Sequence, residues 1–346
     1  MTKPVTIDSL LKEAQLPQQG ASRYTWLTAD DALQPLPPIE WIIEDLISAG
    51  SVSILSGPGG SKKTFFTLDM GVSVASGKQW LHFSTQLTTV LFIDEESGPR
   101  RFLRRLGQVL RGHNAGKETP IKCASLGAFD FGNPDDIMLL QTLIIKSGAG
   151  LVIIDALTDV MAGRDENSVQ SVQPIIIALR KVAEFTQAAI VIIHHNNKSG
   201  YFSGSRAIRD AVDLMLMVES QSKSRNIRIT TEKARDFEPI TFSAVACFEE
   251  EIFYLTEGTV ELKPIEKNIV LFLYKNIDST IEVITGSIET IITSPNINSI
   301  ELAKGAVRNL KKLELIKRTD SGGMGRGIKA FYGLTDKGRE YAEKNT

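Results

Sequence analysis

Eight residues between an apolar run and a helical pattern carry the clearest chemistry of this chain: Gly57-Pro58-Gly59-Gly60-Ser61-Lys62-Lys63-Thr64. Glycines let backbone N–H groups converge on phosphate oxygens, and the first turn of the following helix adds partial positive charge. The template for such a loop is Gly, four residues, then Gly-Lys-Ser/Thr. Gly57, Lys63 and Thr64 satisfy it, while Lys62 stands where the second glycine is expected. Lys63 is placed to reach the β- and γ-phosphates of a nucleotide, and Thr64 to offer its hydroxyl to Mg²⁺. Lys62 either crowds the loop or adds charge beside the phosphates.

Three later segments supply partners for such a loop. Val90-Leu-Phe-Ile-Asp94-Glu95-Glu96 is an apolar strand pattern ending in acids. Acids at the carboxyl end of a strand sit where α/β sheets bind ligands. Nucleotide hydrolysis needs a carboxylate to orient or deprotonate water, which makes Glu96 or Glu95 the candidate base. Leu151-Val-Ile-Ile-Asp155 ends in the acid that suits the Mg²⁺ side. Ile190-Val-Ile-Ile-His194-His195-Asn196 closes a third strand pattern. Adjacent strand residues point to opposite faces, so the two histidines do not chelate one metal. One of them, or Asn196, suits contact with a γ-phosphate, because neutral imidazole both donates and accepts. Lys198, Arg206, Arg209, Lys233 and Arg235 remain as cations for the charge of phosphoryl transfer, often supplied by a neighbouring subunit.

These residues need a scaffold, and the hydrophobic periodicity supplies one. Strands are expected at 51–56, 88–93, 151–155 and 189–194, with helices at 62–76, 100–110, 135–146 and 169–186. Alternating strands and helices predict a mostly parallel α/β sheet. Four further strands, 214–219, 226–232, 240–246 and 252–255, follow with short turns and predict an antiparallel extension. A polar leader fills 1–36 with one weak helix near 7–14, the core 37–258, and a second unit 259–346.

Composition is that of a globular protein, 42% hydrophobic and 23% charged, with a formal net charge of −2 and two cysteines without metal-type spacing. The polar opening lacks the apolar segment of a signal peptide, and no run reaches membrane-spanning length, so a cytoplasmic protein without a membrane partner is expected. Charge is uneven: between 304 and 339 stand ten Lys/Arg and three acids. A basic end on an acidic chain suits a polyanion. That end reads as three helices, a basic hairpin and a last helix, with Thr335 as N-cap. Helix 299–313 sets Leu302, Val307, Leu310 and Leu313 against Lys304, Arg308, Lys311 and Lys312; Arg326 and Lys329 sit in the glycine-rich hairpin.

The ordered set resembles a known family. Pro38-Ile-Glu-Trp-Ile-Ile-Glu, the loop Gly57–Thr64, Phe92-Ile-Asp-Glu-Glu-Ser, Leu151-Val-Ile-Ile-Asp and Ile192-Ile-His-His-Asn-Asn-Lys-Ser-Gly are similar to the RecA-fold ATPases of the RepA-like hexameric helicase group, over about 36–245. The resemblance implies ATP and Mg²⁺ as ligands and a ring, commonly hexameric, with ATP between subunits. It implies Lys63 and Thr64 as loop residues, Glu96 as catalytic carboxylate, Asp155 on the Mg²⁺ side, and His194 or His195 as a link from γ-phosphate to single-stranded DNA in the ring. Members often carry Arg-Gly-Ser after the histidine–lysine segment; here Ser203-Gly-Ser-Arg206 stands instead, leaving Arg206, Arg209, Lys233 or Arg235 for the trans-acting charge. Residues 265–346 resemble a winged helix-turn-helix, which implies a duplex-DNA contact. Two functions follow as expectations: a DNA-associated ring ATPase, such as a replication helicase of a mobile element, or an ATP-switched DNA-binding regulator or loader with slow hydrolysis.

Overall fold

The computed structural model describes residues 27–196, 206–221, 224–258, 262–276, 278–281, 283–285, 299–319 and 330–344, with the backbone alone at Arg206, Ala207 and Lys344. The chain divides into two compact units, Met1–Glu40 and Trp41–Thr346. In the first, helix α1 (Ala29–Leu33) is started by Thr28, whose hydroxyl accepts from Asp31 N while the Asp31 carboxylate accepts from Thr28 N. The weak helix expected near 7–14 lies outside the described residues.

In the second unit a small hairpin, β1 (Trp41–Ile43) and β2 (Ile47–Ser48), precedes the main sheet. Then come β3 (Val52–Gly57), α2 (Lys63–Ala75), β4 (Thr89–Asp94), α3 (Pro99–Gly112), β5 (Ile121–Ser125), α4 (Pro134–Ser147), β6 (Ala149–Asp155), α5 (Val169–Thr186) and β7 (Ala189–His195). Short helix α6 (Arg206–Ala211) leads to β8 (Leu214–Glu219), β9 (Asn226–Ala234), β10 (Thr241–Glu249) and β11 (Ile252–Gly258). The nine strands lie in the order β11-β10-β9-β8-β3-β7-β6-β4-β5.

Strands β3, β4, β6 and β7 are almost wholly buried, which is why they read as continuous apolar runs rather than alternating ones. Helices α2 and α3 cover one face of the sheet, and α4, α5 and α6 the other. Asn133 starts α4 by accepting from Asp135 N, with Pro134 in the first turn, as capping preferences dictate. The fold is therefore an α/β core whose mostly parallel sheet is extended by antiparallel strands.

One expectation is corrected here, and one strand joins those expected. Strand β8 runs parallel to β3, so the antiparallel extension starts one strand later, at β9. The direction matters, because it brings the carboxyl end of β8 beside the phosphate loop. Strand β5, which closes the other edge parallel to β4, has no clear apolar pattern because Lys122 and Cys123 are exposed at that edge.

Helix α2 carries an acid in its buried middle. Asp69 accepts from Trp80 Nε1 at 3.1 Å, from Leu255 N at 2.9 Å, and pairs with His113 Nε2 at 2.7 Å. One carboxylate thus joins the helix behind the phosphate loop to the end of α3 and to β11. A buried acid is tolerable only when so fully bonded.

The C-terminal elements are α7 (Pro264–Lys275), β12 (Ser279–Thr280), α8 (Ser299–Lys312), β13 (Ile316–Arg318), β14 (Phe331–Leu334) and α9 (Asp336–Lys344). They share an apolar cluster built on Ile269, Leu273, Val307, Leu310 and Leu334, beside an antiparallel sheet of order β12-β14-β13. Thr335 caps α9 by accepting from Gly338 N at 3.0 Å. The core holds this part through a buried pair. Arg228 of β9 donates to both carboxylate oxygens of Glu266 in α7, at 2.7 and 3.0 Å. Asn309 Nδ2 and Lys263 N also donate to that carboxylate.

Breaking one side of a buried, bidentate pair leaves a charge uncompensated, at about 3–5 kcal/mol. Glu266→Ala should lower the unfolding free energy by that order in urea titrations. A loss under about 1 kcal/mol would show that Arg228 is hydrated and does not anchor the C-terminal helices.

Candidate functional site

Strand β3 delivers the loop. Its last residue, Gly57, has Val218 O only 2.4 Å from where a Cβ would stand, so a side chain there collides with β8. Beyond it, Lys62 adopts φ +69°, the left-handed conformation that the expected glycine takes without strain. Its ammonium turns to the end of β8, donating to Ser220 Oγ at 2.8 Å and Gln221 O at 3.3 Å. Lys62 therefore keeps the shape of the loop and carries its charge to its flank; partial burial holds its amine below the usual range.

Lys63 follows at the start of α2. Its ammonium donates to Gly57 O at 2.8 Å and Pro58 O at 3.0 Å, folding back across the loop. It is 4% exposed, and burial pushes its pKa down to about 8 against the opposing pull of Asp155 and Glu96. Ser61 Oγ is buried without a partner among the described residues.

The carboxyl ends of β4, β6 and β7 converge on this loop because β6 lies between β4 and β7, and β7 beside β3. Thr64 Oγ1 donates to Asp155 Oδ2 at 2.8 Å. The other oxygen of Asp155, Oδ1, is buried and has no hydrogen-bond donor among the described residues, with the Glu96 carboxyl close by. Burial first, and the Glu96 charge second, raise the Asp155 pKa to about 7. A desolvated carboxylate with an idle oxygen next to a threonine hydroxyl fits a divalent cation, and Mg²⁺ takes one or two carboxylates while sharing substrate phosphates. Among the described residues no group of three or more His, Cys, Asp or Glu forms a metal cage.

The three acids ending β4 have different fates. Asp94 is buried and accepts from Ser97 N and Ser125 Oγ. Glu95 accepts from Gly127 N at 2.8 Å and Ala128 N at 3.0 Å, so both its oxygens brace the loop after β5. Glu96 stands beside Asp155 and Lys63, exposed to solvent, with Oε2 3.3 Å from His195 Nε2. That hydrogen bond, against partial burial, keeps its carboxyl below the usual range. The geometry thus brings Glu96 to the site and takes Glu95 away from it.

His194 faces the other side of β7, fully buried, with Nδ1 3.9 Å from Glu166 Oε2. Asn196 N donates to Gly57 O at 3.0 Å, locking the end of β7 to the loop. Asp159, four residues past Asp155, joins the acidic rim; burial and Glu96 raise its pKa. Neither it nor the Ser220–Gln221 pair belongs to a sequence motif. Only the parallel direction of β8 reveals the latter.

The expected trans-acting cations lie elsewhere. Lys233 donates to Arg209 O and Asp210 O, and Arg235 to Asp210 O and Asp213 Oδ1. These bonds satisfy the last carbonyls of α6. Asp213 also accepts from Val52 N, so the group sits at the opposite end of β3 from the loop. Arg209 is exposed there, and Lys198 and the Arg206 side chain lie outside the described residues. On α8, Lys304, Arg308 and Lys311 share an exposed stripe, with Lys304 2.9 Å from Glu301. Lys312 is corrected from that stripe: it turns inward and donates to Thr231 O of β9 at 2.6 Å. Arg326 and Lys329 lie outside the described residues.

A raised carboxyl pKa means the folded protein binds a proton more tightly than the unfolded chain. Its favourable contribution is full below about 3.8 and is lost as pH climbs toward about 7. Asp155→Asn removes this titration. In nucleotide-free protein with EDTA, the Tm of the variant should rise relative to wild type between pH 4 and pH 8, by at least about 2 °C. Parallel Tm curves would show that Asp155 is ionised in the fold at every pH.

The AAA domain family model matches residues 18–201, more than half of the chain. Among solved structures, a KaiC-like protein from the hyperthermophilic archaeon Pyrococcus horikoshii OT3 aligns with a TM-score of 0.46 and 11% identity, covering 63% of this chain and 99% of its own. The RadB recombinase aligns with a TM-score of 0.47 and 15% identity, covering 62% of this chain and 93% of its own. No helix among the described residues is long and apolar enough to cross a membrane. The chain belongs to the AAA domain family, with a P-loop between β3 and α2.

Proposed function

We propose that this ATPase is a DNA-associated ring protein, a replication helicase of the RepA-like kind from a mobile element, with a C-terminal winged helix that touches duplex DNA. The observation that carries the nucleotide chemistry is the Thr64–Asp155 contact with the idle Asp155 Oδ1 beneath the loop. Thr64 and Asp155 would hold Mg²⁺, which when bound neutralises charge on the β- and γ-phosphates. Lys63 exchanges the carbonyls of Gly57 and Pro58 for phosphate oxygens, a stronger charge-assisted bond. Backbone N–H groups of the loop and the start of α2 orient the triphosphate. Glu96, ionised and solvent-facing, orients the attacking water and takes its proton. His195, bonded to Glu96, reports the state of the γ-phosphate.

The remaining charge comes from a neighbouring subunit. Lys233, Arg235 and Arg209 stand at the end of the sheet away from their own loop, where they serve an adjoining protomer and not their own. This favours a ring, with hexamer as the assembly. The stripe of Lys304, Arg308 and Lys311, with Lys317 and Arg318 exposed on β13, supports duplex contact through the backbone phosphates. Single-stranded DNA occupies the ring channel in this reading.

ATP turnover without DNA, with duplex and with single strands tests it. Single strands should stimulate turnover several-fold, and Lys63→Ala should cost about 100-fold or more. Glu96→Gln should lose about 100-fold or more in turnover while still binding ATP. Slow turnover indifferent to single strands, with a footprint on duplex DNA, would replace the helicase by an ATP-switched regulator or loader.

A further inference from the structure

Lys62 is the departure from the loop template, and its contacts lead away from the nucleotide. Its ammonium holds Ser220 Oγ and Gln221 O. The same Ser220 hydroxyl donates to Asn226 O, at the start of β9, at 2.8 Å. One hydroxyl has one proton, so donating to Asn226 O uses its donor while one of its two lone pairs accepts from Lys62. Two residues along β9 stands Arg228, which grips Glu266 of α7; beside Ser220, Glu219 accepts from Lys263 Nζ at 2.8 Å. The path from loop to C-terminal helices is thus a continuous set of polar contacts. Next to it lies a cavity of about 480 Å³ lined by Pro58, Ser220, Gln221, Arg228 and Lys263, which leaves these side chains room to move.

We propose that Lys62 couples occupation of the phosphate loop to the C-terminal helices, by clasping the end of β8 when the loop is empty and releasing it when a triphosphate binds. The inference rests on the loop being the nucleotide site. Its cause is competition for one ammonium. In the empty loop Lys62 bonds a hydroxyl and a carbonyl, both neutral. A triphosphate places several negative charges one residue away, and charge-assisted bonds are roughly twice as strong as neutral ones. Once Lys62 turns to the phosphates, Ser220 Oγ loses the ammonium it accepts from, and Gln221 O keeps only its neutral donors, Ser224 N among them. The start of β9, and with it the Arg228–Glu266 anchor, is then free to shift. A glycine at 62 would keep the loop shape but would have no such link.

Hydrogen exchange on the full-length protein tests this, with and without saturating ATPγS and Mg²⁺, after nucleotide binding has been measured with a fluorescent ATP analogue. In wild type, amides of α7 from Ile265 to Lys275 should exchange about fivefold faster when nucleotide is bound, as expected for the loss of a hydrogen bond. Ser220→Ala removes the shorter of the two clasp contacts without touching the loop, leaving Lys62 only the longer bond to Gln221 O. Its nucleotide-free exchange in that helix should already lie nearer the bound wild type than the free one, and nucleotide should change it by less than half as much. Lys62→Gly, read at saturation so that its own affinity does not enter, should lose the response in the same way. A nucleotide-dependent change in either variant equal to wild type overturns the coupling, as does a wild type that binds nucleotide without change in α7. A wild type that binds no nucleotide overturns the functional reading and the coupling with it.

Discussion

The site depends on one hydrogen bond, from the hydroxyl of Thr64 to the carboxylate of Asp155. It spans the gap between the first turn of α2 and the end of β6, and so sets the distance between the phosphate loop and the acidic edge of the sheet. Everything that fixes those two elements serves this contact. Behind α2, Asp69 ties the helix to Trp80, His113 and Leu255. At β6, the flanking strands β4 and β7 bury the chain down to Asp155 itself, which is 5% exposed. Gly57 lets β8 close against the loop from the other side.

Burial gives the site its electrostatics. The same desolvation pushes Lys63 down and Asp155 up, moving each toward its neutral form. The ammonium of Lys63 meanwhile rests on the carbonyls of Gly57 and Pro58. Arrival of an anionic triphosphate with its cation reverses both tendencies, since each charge then has a partner. Glu96 escapes this logic because it faces solvent and is bonded to His195, which keeps it ionised and available. Two carboxylates side by side thus differ in their tendency to hold a proton because their surroundings differ, which suits the proposed division into a metal-side acid and a water-side base.

Much of this was legible in the sequence, and the parts that were not share a cause. The loop, Thr64, Asp155 and the four central strands are local patterns, in which residue type and spacing suffice. The choice between Glu95 and Glu96 was not local: it was decided by the backbone N–H groups of Gly127 and Ala128, some thirty residues on. The direction of β8 was equally invisible, because an apolar run reads the same whether it pairs parallel or antiparallel. Lys62 read either as crowding the loop or as charge beside the phosphates. Its left-handed backbone and its reach to Ser220 depend on that direction, and so could not be foreseen. Lys312 belonged by periodicity to a basic stripe, yet its place at the end of α8 turns it to Thr231.

The measurement closest to the central claim is calorimetric titration of ATPγS with and without Mg²⁺, on wild type and on Thr64→Val. Valine keeps the shape of threonine and removes the hydroxyl that faces Asp155. Wild type should bind at least about tenfold more tightly with Mg²⁺, a difference near 1.4 kcal/mol, and Thr64→Val should lose most of that increment while retaining its metal-free affinity. An undiminished magnesium effect in the valine variant would contradict the account, because the cation would then be held somewhere other than between Thr64 and Asp155.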